Sequence, residues 1–342
     1  MIMAELMRGK RGLVMGVAND RSIAWGISRA LAAEGAELAF TYQGEGFGKR
    51  VLPLAQSLGS NMVIEADVQD SASLDRAFGT LAKSWGSIDF LIHAIAYSDK
   101  DELTGRFLNT TRANFLNSMD ISCYSLVDVA RRAAPLMKQG GSIVTLTYMG
   151  SQRVIPNYNV MGVAKAALEA TVRYLANDLG PDGIRVNAVS PGPMKTLAGA
   201  AIGGARKVYR ATEENAPLRS NASLESCGAM GMFLCSDMSA HTTGEVIYVD
   251  GGYHVMGMAQ PVHRGLGGDV AKLDDLVQNI LRMFGVELVD RVVDMLPELH
   301  EILWVIGFDL RGRGQHPAHR PLAEQLKIVQ RSASLQLSCR RQ

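Results

Sequence analysis

Short apolar runs that alternate with amphipathic stretches, from one end of the first 250 residues to the other, limit this chain to one architecture. The runs are 12–16 (GLVMG), 36–42 (AELAFTY), 62–66 (MVIEA), 88–93 (IDFLIH), 142–147 (SIVTLT), 184–190 (IRVNAVS) and 245–249 (EVIYV). They are continuously hydrophobic rather than alternating, which is the pattern of strands buried on both faces of a parallel sheet. Between them lie helical patterns such as 22–34, 71–84, 111–138 and 158–179. Strand-helix-strand repetition with right-handed crossovers predicts an α/β fold: a Rossmann-type, doubly wound, seven-stranded parallel sheet in the order 3-2-1-4-5-6-7.

Composition agrees and removes other classes. The 342 residues are 47% hydrophobic and 20% charged, with a formal net charge of +1, ample for one α/β domain and an appendage. A balance so near neutral gives no reason to expect nucleic-acid or membrane binding. The N-terminus MIMAELMRGKRGLVMG lacks the apolar core and cleavage site of a secretory signal. No run approaches the roughly 20 apolar residues of a spanning helix. Cys123, Cys227, Cys235 and Cys339 show neither metal nor redox spacing, as in a protein of a reducing compartment. A cytoplasmic location is the expectation.

The carboxyl ends of the early strands read as a nucleotide site. After the first strand come Gly16-Val-Ala-Asn-Asp-Arg-Ser22-Ile23-Ala24-Trp25-Gly26 and a helix. Gly16 permits a tight turn, and amides near Ser22 and Ile23 face an anion at the helix N-terminus. This spacing is not the GxGxxG fingerprint, and an ordinary strand-helix turn reads the same way by itself. Strand two ends in Thr41-Tyr42-Gln43. A neutral Gln43 can bond a ribose hydroxyl without compensating a 2′-phosphate, which favours NADH over NADPH. Lys49 and Arg50 keep that question open, against the plainer reading of a solvated helix face. Asp67-Val68 closes strand three beside the position of an adenine ring; Asp67 as N-cap of the helix near Ser71 is a compatible alternative. Strand four ends in His93-Ala94-Ile95-Ala96-Tyr97-Ser98, small residues suited to close backbone approach at a topological switch point. His93 reads as a satisfied structural histidine.

The later strands carry the chemistry. Strand five runs into Thr145-Leu146-Thr147-Tyr148-Met149-Gly150, and Tyr158-Asn-Val-Met-Gly-Val-Ala-Lys165 follows inside a helical pattern. Seven positions return a side chain to within roughly 20° of the same face, about 10 Å along the axis. One face thus presents a phenol and an ammonium, which suits a reductase whose Lys holds a nicotinamide ribose and whose Tyr meets charge created by hydride transfer. Strand six leads into Ser190-Pro-Gly-Pro193-Met194-Lys195-Thr196-Leu197-Ala198, and the last strand closes with Val249-Asp250-Gly-Gly-Tyr253.

In register, GVANDRSIAWG, AFTYQ, IPNYNVMGVAKAALEA, IRVNAVSPGPMKTLA and GEVIYVDGGY make residues 9 to about 258 resemble the NADH-dependent enoyl-[acyl-carrier-protein] reductases of bacterial type II fatty acid synthesis, within the short-chain dehydrogenase/reductase superfamily. The resemblance implies NADH/NAD+ contacts from Gly16, Ser22, Ile23, Gln43, Asp67, Val68, Ile95, Lys165, Met194, Lys195, Thr196, Leu197 and Ala198. It implies Tyr158 as proton donor or oxyanion stabiliser, Tyr148 as a second phenol of the site, and Ser98 near substrate. It further implies acyl carrier protein as substrate carrier, a homotetramer, no metal, and sensitivity to diphenyl-ether inhibitors that stack on the nicotinamide. Ketone-reducing members space Tyr and Lys four apart; enoyl reductases space them seven apart. Conjugate reduction places hydride on C3 and charge on the thioester oxygen at C1, so the donor must sit two carbons further from the nicotinamide, a displacement that one more helical turn supplies. The charge of Lys165 is expected to lower the Tyr158 pKa.

Some positions depart from the family pattern. Ala94 and Ala96 stand where Ser and Gly are also seen, and Pro191 replaces a common Ala. In the stretch 199–210, expected as a flexible lid over substrate, Ala205 stands where Phe is usual. Ser220 stands where a second Arg commonly follows Arg219. The lid keeps Arg206, Lys207 and Arg210, a basic cluster facing an acidic carrier protein.

Two domains are expected: 1–262, binding NADH, and 263–342, an extension outside the resemblance. Leu273, Leu276, Val277, Ile280, Leu281 and Phe284 repeat at helical spacing. Residues 311–342 hold seven Lys/Arg against one Glu and read as a basic, disordered end. An oligomerisation or partner-binding module, an inert helical pair and a recombined gene end all remain open for this tail. Two other functions stay open for the chain: a short-chain dehydrogenase acting on a ketone or alcohol, which the Tyr–Lys spacing opposes, and a non-catalytic dinucleotide sensor, which retention of Tyr148, Tyr158 and Lys165 opposes.

Overall fold

A computed structural model describes residues 5–200 and 203–259; the readings made above for 263–342 lie outside them. In chain order the elements are β1 (Arg11–Met15), α1 (Ile23–Ala33), β2 (Glu37–Tyr42), α2 (Gly44–Ser57), β3 (Val63–Glu65), α3 (Ser71–Trp85), β4 (Phe90–His93), α4 (Arg112–Met119), α5 (Ser125–Ala133), β5 (Gly141–Leu146), α6 (Asn159–Leu179), β6 (Ile184–Pro191), α7 (Leu197–Ala200), α8 (Ala205–Asn215), α9 (Leu224–Cys235) and β7 (Val246–Val249). The strands form one sheet, β3-β2-β1-β4-β5-β6-β7, parallel throughout. This is the order that the sequence pattern predicts.

The unbroken hydrophobicity of the central strands has its cause in two cores. Leu13, Met15, Leu91, Ile143, Val186 and Ala188 face a cluster built with α3, α5 and α6. Val14, Phe90, Ile92, Val144 and Val189 face a second one built with α1, α2 and α9. Successive strand residues point to opposite faces, so a strand covered on both sides is mostly apolar, and its few polar residues, such as His93 and Thr145, bond one another. Where α1 crosses α9 the backbones nearly touch: a Cβ on Gly228 would lie 2.5 Å from the carbonyl oxygen of Gly26.

Two local expectations need correction. The stretch 111–138 is not one helix: α4 passes through a widened π turn, Asp120–Tyr124, into α5, and the chain tightens to a 3₁₀ turn at Ala134–Leu136. Pro135 cannot continue the α-helical hydrogen bonds. In the π turn, Ser122 Oγ both accepts from Tyr97 N and donates to Tyr97 O, each at 3.0 Å, tying it to the exit of β4. Asp67 does not cap α3; Asp70 does, accepting from Ala72 N at 2.9 Å. Asp67 lies three residues too early to reach the first-turn amides, and it accepts instead from Gln69 N at 2.9 Å.

Candidate active site

At the carboxyl end of β1 the backbone turns at Gly16 with φ 101°, where a Cβ would stand 2.1 Å from the carbonyl oxygen of Ala94. Only a glycine lets β1 and β4 diverge there without displacing backbone. Ser22, the N-cap residue of α1, spends its hydroxyl on the loop, accepting from Ala18 N at 3.0 Å and Asn19 N at 3.1 Å. The first turn of α1, starting at Ile23, therefore has no side-chain cap from Ser22.

Gln43 and Asp67 meet across the ends of β2 and β3, Gln43 Nε2 donating to Asp67 Oδ2 at 3.0 Å. Val68 and Ile95 are half-buried against the α3/α5/α6 core. Lys49 pairs with Glu45 at 2.7 Å, and the Arg50 guanidinium lies 4.7 Å from the Phe47 ring centre. Both cations are thus engaged within α2, as the helix-face reading has it. Past β6, Met194 Sδ accepts from Cys227 Sγ at 3.7 Å, Thr196 Oγ1 accepts from Gly199 N at 3.0 Å, and Lys195 Nζ sits 4.8 Å from the centre of the Tyr209 ring. Leu197 is exposed, and Ala198 follows it on α7.

The phenols come together. Tyr148 leaves β5 in extended conformation, and its ring meets that of Tyr158 edge-on, with centroids 5.2 Å apart. Tyr158 is the N-cap residue of α6 rather than an interior position. It is flanked by two residues in the left-handed region, Asn157 (φ 60°) and Asn159 (φ 34°). Their amides hold neighbouring loops, Asn157 Nδ2 on Gly203 O at 2.7 Å and Asn159 Nδ2 on Glu102 O at 3.1 Å. The Tyr158 ring packs where a side chain on residue 150 would stand, since a Cβ on Gly150 would be 2.5 Å from it. Ser98 Oγ donates to Asn114 Oδ1 at 3.3 Å, on the loop that leaves β4.

Lys165 is buried, and its Nζ donates to Leu146 O at 2.8 Å. Burial pulls its pKa down to about 8, opposed by the neighbouring Cys123 and Glu169. Burial pushes the Tyr148 phenol up to about 12, with Tyr253 and Asp250 adding to the effect. Tyr158 corrects an expectation: its pKa is raised, not lowered, by burial first and then by Tyr148 and Glu169. Loss of hydration outweighs the cation two turns away, whose ammonium is bonded to the β5 carbonyl. Both tyrosines are therefore neutral hydrogen-bond donors near pH 7. His93 is the structural residue expected, Nδ1 lying 3.0 Å from Thr145 Oγ1 and Nε2 2.9 Å from Ser125 Oγ. Burial, with Lys165 nearby, holds its pKa at about 3.

One residue escapes the sequence reading. Glu169, on α6, is 5% exposed and accepts from Thr147 Oγ1 at 2.7 Å and Ser151 Oγ at 2.6 Å. A signal for it exists. The buried face of α6 runs Met161, Ala164, Lys165, Leu168, Glu169, Val172, Ala176, so two opposite charges occupy an otherwise apolar stripe.

A doubly wound parallel sheet with a Tyr–Lys helix at its carboxyl edge is the architecture of the short-chain dehydrogenases and reductases. Within that class, the model of the enoyl-(acyl carrier protein) reductase family matches residues 16–254. NADH enoyl-[acyl-carrier-protein] reductase 1 of Rhizobium meliloti is 59% identical over 253 residues, 74% of this chain and 93% of that protein. The NADH enoyl-[acyl-carrier-protein] reductase of Rickettsia bellii is 52% identical over 252 residues, 74% of this chain and 96% of its own length. The crystal structure of the enoyl-(acyl-carrier-protein) reductase of Anaplasma phagocytophilum in complex with NAD is similar with a TM-score of 0.72 at 51% identity, covering 75% of this chain and 96% of that one. The chain belongs to the enoyl-(acyl carrier protein) reductase family.

Proposed function

We propose that this protein is an NADH-dependent enoyl-[acyl-carrier-protein] reductase that saturates the trans-2 double bond of enoyl thioesters in fatty acid elongation. The observation that carries the reading is the edge-on pair of neutral phenols, half-buried Tyr148 at the carboxyl end of β5 and buried Tyr158 at the start of α6, with Lys165 on the helix that Tyr158 begins. The residues present fit a nicotinamide dinucleotide. Gly16 opens the β1 turn, the start of α1 offers amides to a pyrophosphate, and Gln43 with Asp67 offers polar atoms at the adenosine end. Among the described residues, the buried hydroxyl of Ser190 has no partner, at the end of β6 where Met194–Thr196 begin. NADH, when bound, supplies hydride to C3 of the enoyl group.

The chain's own residues do the rest. Tyr158 donates a hydrogen bond to the thioester oxygen as negative charge grows there, a contribution of about 3–4 kcal/mol for a preorganised donor. Its raised pKa keeps the proton on the phenol until the enolate needs it. Tyr148 braces the Tyr158 ring and lends a second phenol to the pocket. Lys165, charged below about pH 8, holds the ribose. Ser98 lies at the substrate side, and Met194 through Ala198 lie along the nicotinamide half.

Carrier-protein docking is assigned to α8, where Arg206, Lys207 and Arg210 are exposed on one helix, a positive face for an acidic partner. Reversing Arg206 and Lys207 to Glu is expected to weaken carrier-protein substrates far more than short coenzyme A thioesters; equal losses on both would remove the assignment. A homotetramer is the proposed assembly, supported by exposed Leu116, Tyr124 and Tyr174 along α4, the π turn and α6 and checked by sedimentation equilibrium. Among the described residues no helix is long and apolar enough to cross a membrane. A cytoplasmic location, consistent with free thiols at Cys123, Cys227 and Cys235, is tested by cell fractionation. Residues 1–262 are proposed as the NADH-binding enzyme domain and 263–342 as an extension of it, so a chain ending at residue 262 should keep its activity.

The deciding experiment follows NADH absorbance with crotonyl thioester and, beside it, acetoacetyl thioester. Oxidation with the enoyl substrate alone supports the reading. Turnover of the ketone alone would move the chain to the carbonyl-reducing members.

A further inference from the structure

Glu169 is a buried carboxylate for which the reaction has no direct use, and it sits where three reacting or binding groups converge. It lies one helical turn after Lys165, on the helix that Tyr158 starts. Its Oε1 accepts from Thr147 and Ser151, at 2.7 and 2.6 Å, and those residues bracket Tyr148 on the segment joining β5 to α6. One carboxylate thus ties the Tyr148 segment to the Tyr158–Lys165 helix. Burying a charge this deeply is costly unless it is bonded and compensated. Two hydroxyls donate to it, and Lys165, four residues earlier on the same helix, is the cation whose pKa its charge raises.

We propose that Glu169 is a positioning residue of this reductase: it fixes Tyr148 against the helix of Tyr158 and Lys165 and supplies the negative charge that keeps the Lys165 side chain cationic. The proposal rests on the reading of the chain as an enoyl reductase only for its effect on turnover. The geometry already separates two roles. The hydrogen bonds set position, because Thr147 is buried and Ser151 begins the return toward Tyr158. The charge acts on Lys165, whose other near ionisable groups are Cys123 on the π turn and His93 on β4. Cys123 also favours the ammonium, and His93, held neutral by burial, supplies no negative charge. Among the described residues, Glu169 is therefore the carboxylate acting on Lys165.

Three substitutions take the roles apart. Glu169→Gln keeps an oxygen that both hydroxyls can donate to and removes the charge. Glu169→Asp keeps the charge and shortens the reach. Glu169→Ala removes both. Each is compared with the wild-type chain by NADH fluorescence titration from pH 6 to 10, by kcat and KM on crotonyl thioester, and by thermal melting. For Glu169→Gln the alkaline limit of NADH binding should move to lower pH, because a carboxylate raises the pKa of a neighbouring ammonium and its loss lets that pKa fall. kcat should fall by about tenfold, with thioester KM little changed, since small displacements of reacting groups cost rate rather than binding. Glu169→Asp should restore the alkaline limit while kcat stays reduced.

A Glu169→Gln protein with wild-type kcat and an unmoved alkaline limit overturns the proposal, even where Glu169→Ala melts early, because the residue would then be structural alone. If the wild-type chain binds NADH but does not reduce the enoyl thioester, the enoyl-reductase reading falls. The alkaline limit of NADH binding in Glu169→Gln still decides whether Glu169 holds Lys165. Should Glu169→Ala fail to fold, Glu169→Gln and Glu169→Asp decide the matter between them.

Discussion

The two ends of the cleft are built differently. The β1–β3 end is made of backbone and exposed polar atoms: a glycine turn, the open first turn of α1, and the Gln43–Asp67 bond at the surface. The β5–β6 end is made of buried side chains, with Tyr158, Lys165, Thr147 and Glu169 all under 9% exposed. Groups at the first end lie at or near the surface. At the second, burial changes the chemistry itself, raising two phenols and lowering an ammonium. Turns leave their polar atoms near water, whereas packed helices and strands take theirs out of it.

The contrast breaks most readily at Tyr158. Tyr158→Phe should lower kcat on crotonyl thioester by about 10²–10³, the usual effect of removing one oxyanion donor, and leave NADH affinity unchanged. Equal losses in both would mean that the buried end also holds the cofactor through its phenol. At the open end, Gly16→Ala forces a Cβ against the Ala94 carbonyl at 2.1 Å with φ in the left-handed region. It should raise the NADH Kd at least about tenfold and cost about 1–3 kcal/mol in denaturant melts. If only stability falls, the turn is structural and the pyrophosphate lies elsewhere.

Acidity sharpens the difference further. Lys165 is charged below its folded-state pKa of about 8 and loses its proton above it. NADH affinity should therefore be flat at acid pH and fall as pH rises through that value, whereas Lys165→Met binds weakly and without this dependence. The sign for stability is opposite. Between about 8 and the ordinary 10.5 of a lysine the unfolded chain binds the extra proton, so the contribution of Lys165 to stability rises over the range where binding falls. Urea melts of wild type and Lys165→Met at pH 7.5 and 9.5 give the comparison. The smallest effect belongs to Gln43→Ala, which removes one exposed hydrogen bond to Asp67 and should raise the NADH Kd about two- to tenfold by titration.

Much of this was legible beforehand for physical reasons. Strands buried on both faces are mostly apolar, so the seven runs could be read directly, with ends shifted by one or two residues, and the doubly wound repetition set their order. Gln43, Asp67, Tyr148, Tyr158 and Lys165 lie at strand ends or at helical spacing, where local pattern fixes place. The α4–α5 break was not legible, because a π turn depends on Ser122 meeting Tyr97 from another element. The cap of α3 went to Asp70 rather than Asp67 because three residues of register decide which carboxylate reaches the first amides. The direction of the Tyr158 shift was misread because spacing along a helix reports proximity to a charge and says nothing of how much water is excluded.

Sequence alone determined the sheet, the glycine turn before α1, and the seven-residue separation of phenol and ammonium. These follow from periodicity and backbone sterics, which are local. Tertiary structure decided that Gly150 makes room for the Tyr158 ring, that the phenols meet edge-on, that Lys165 is tethered to Leu146, and that Glu169 joins the two halves of the reacting end. Each of those depends on contacts between segments distant in the chain and on the exclusion of solvent they produce together, and burial is a property that no residue carries by itself.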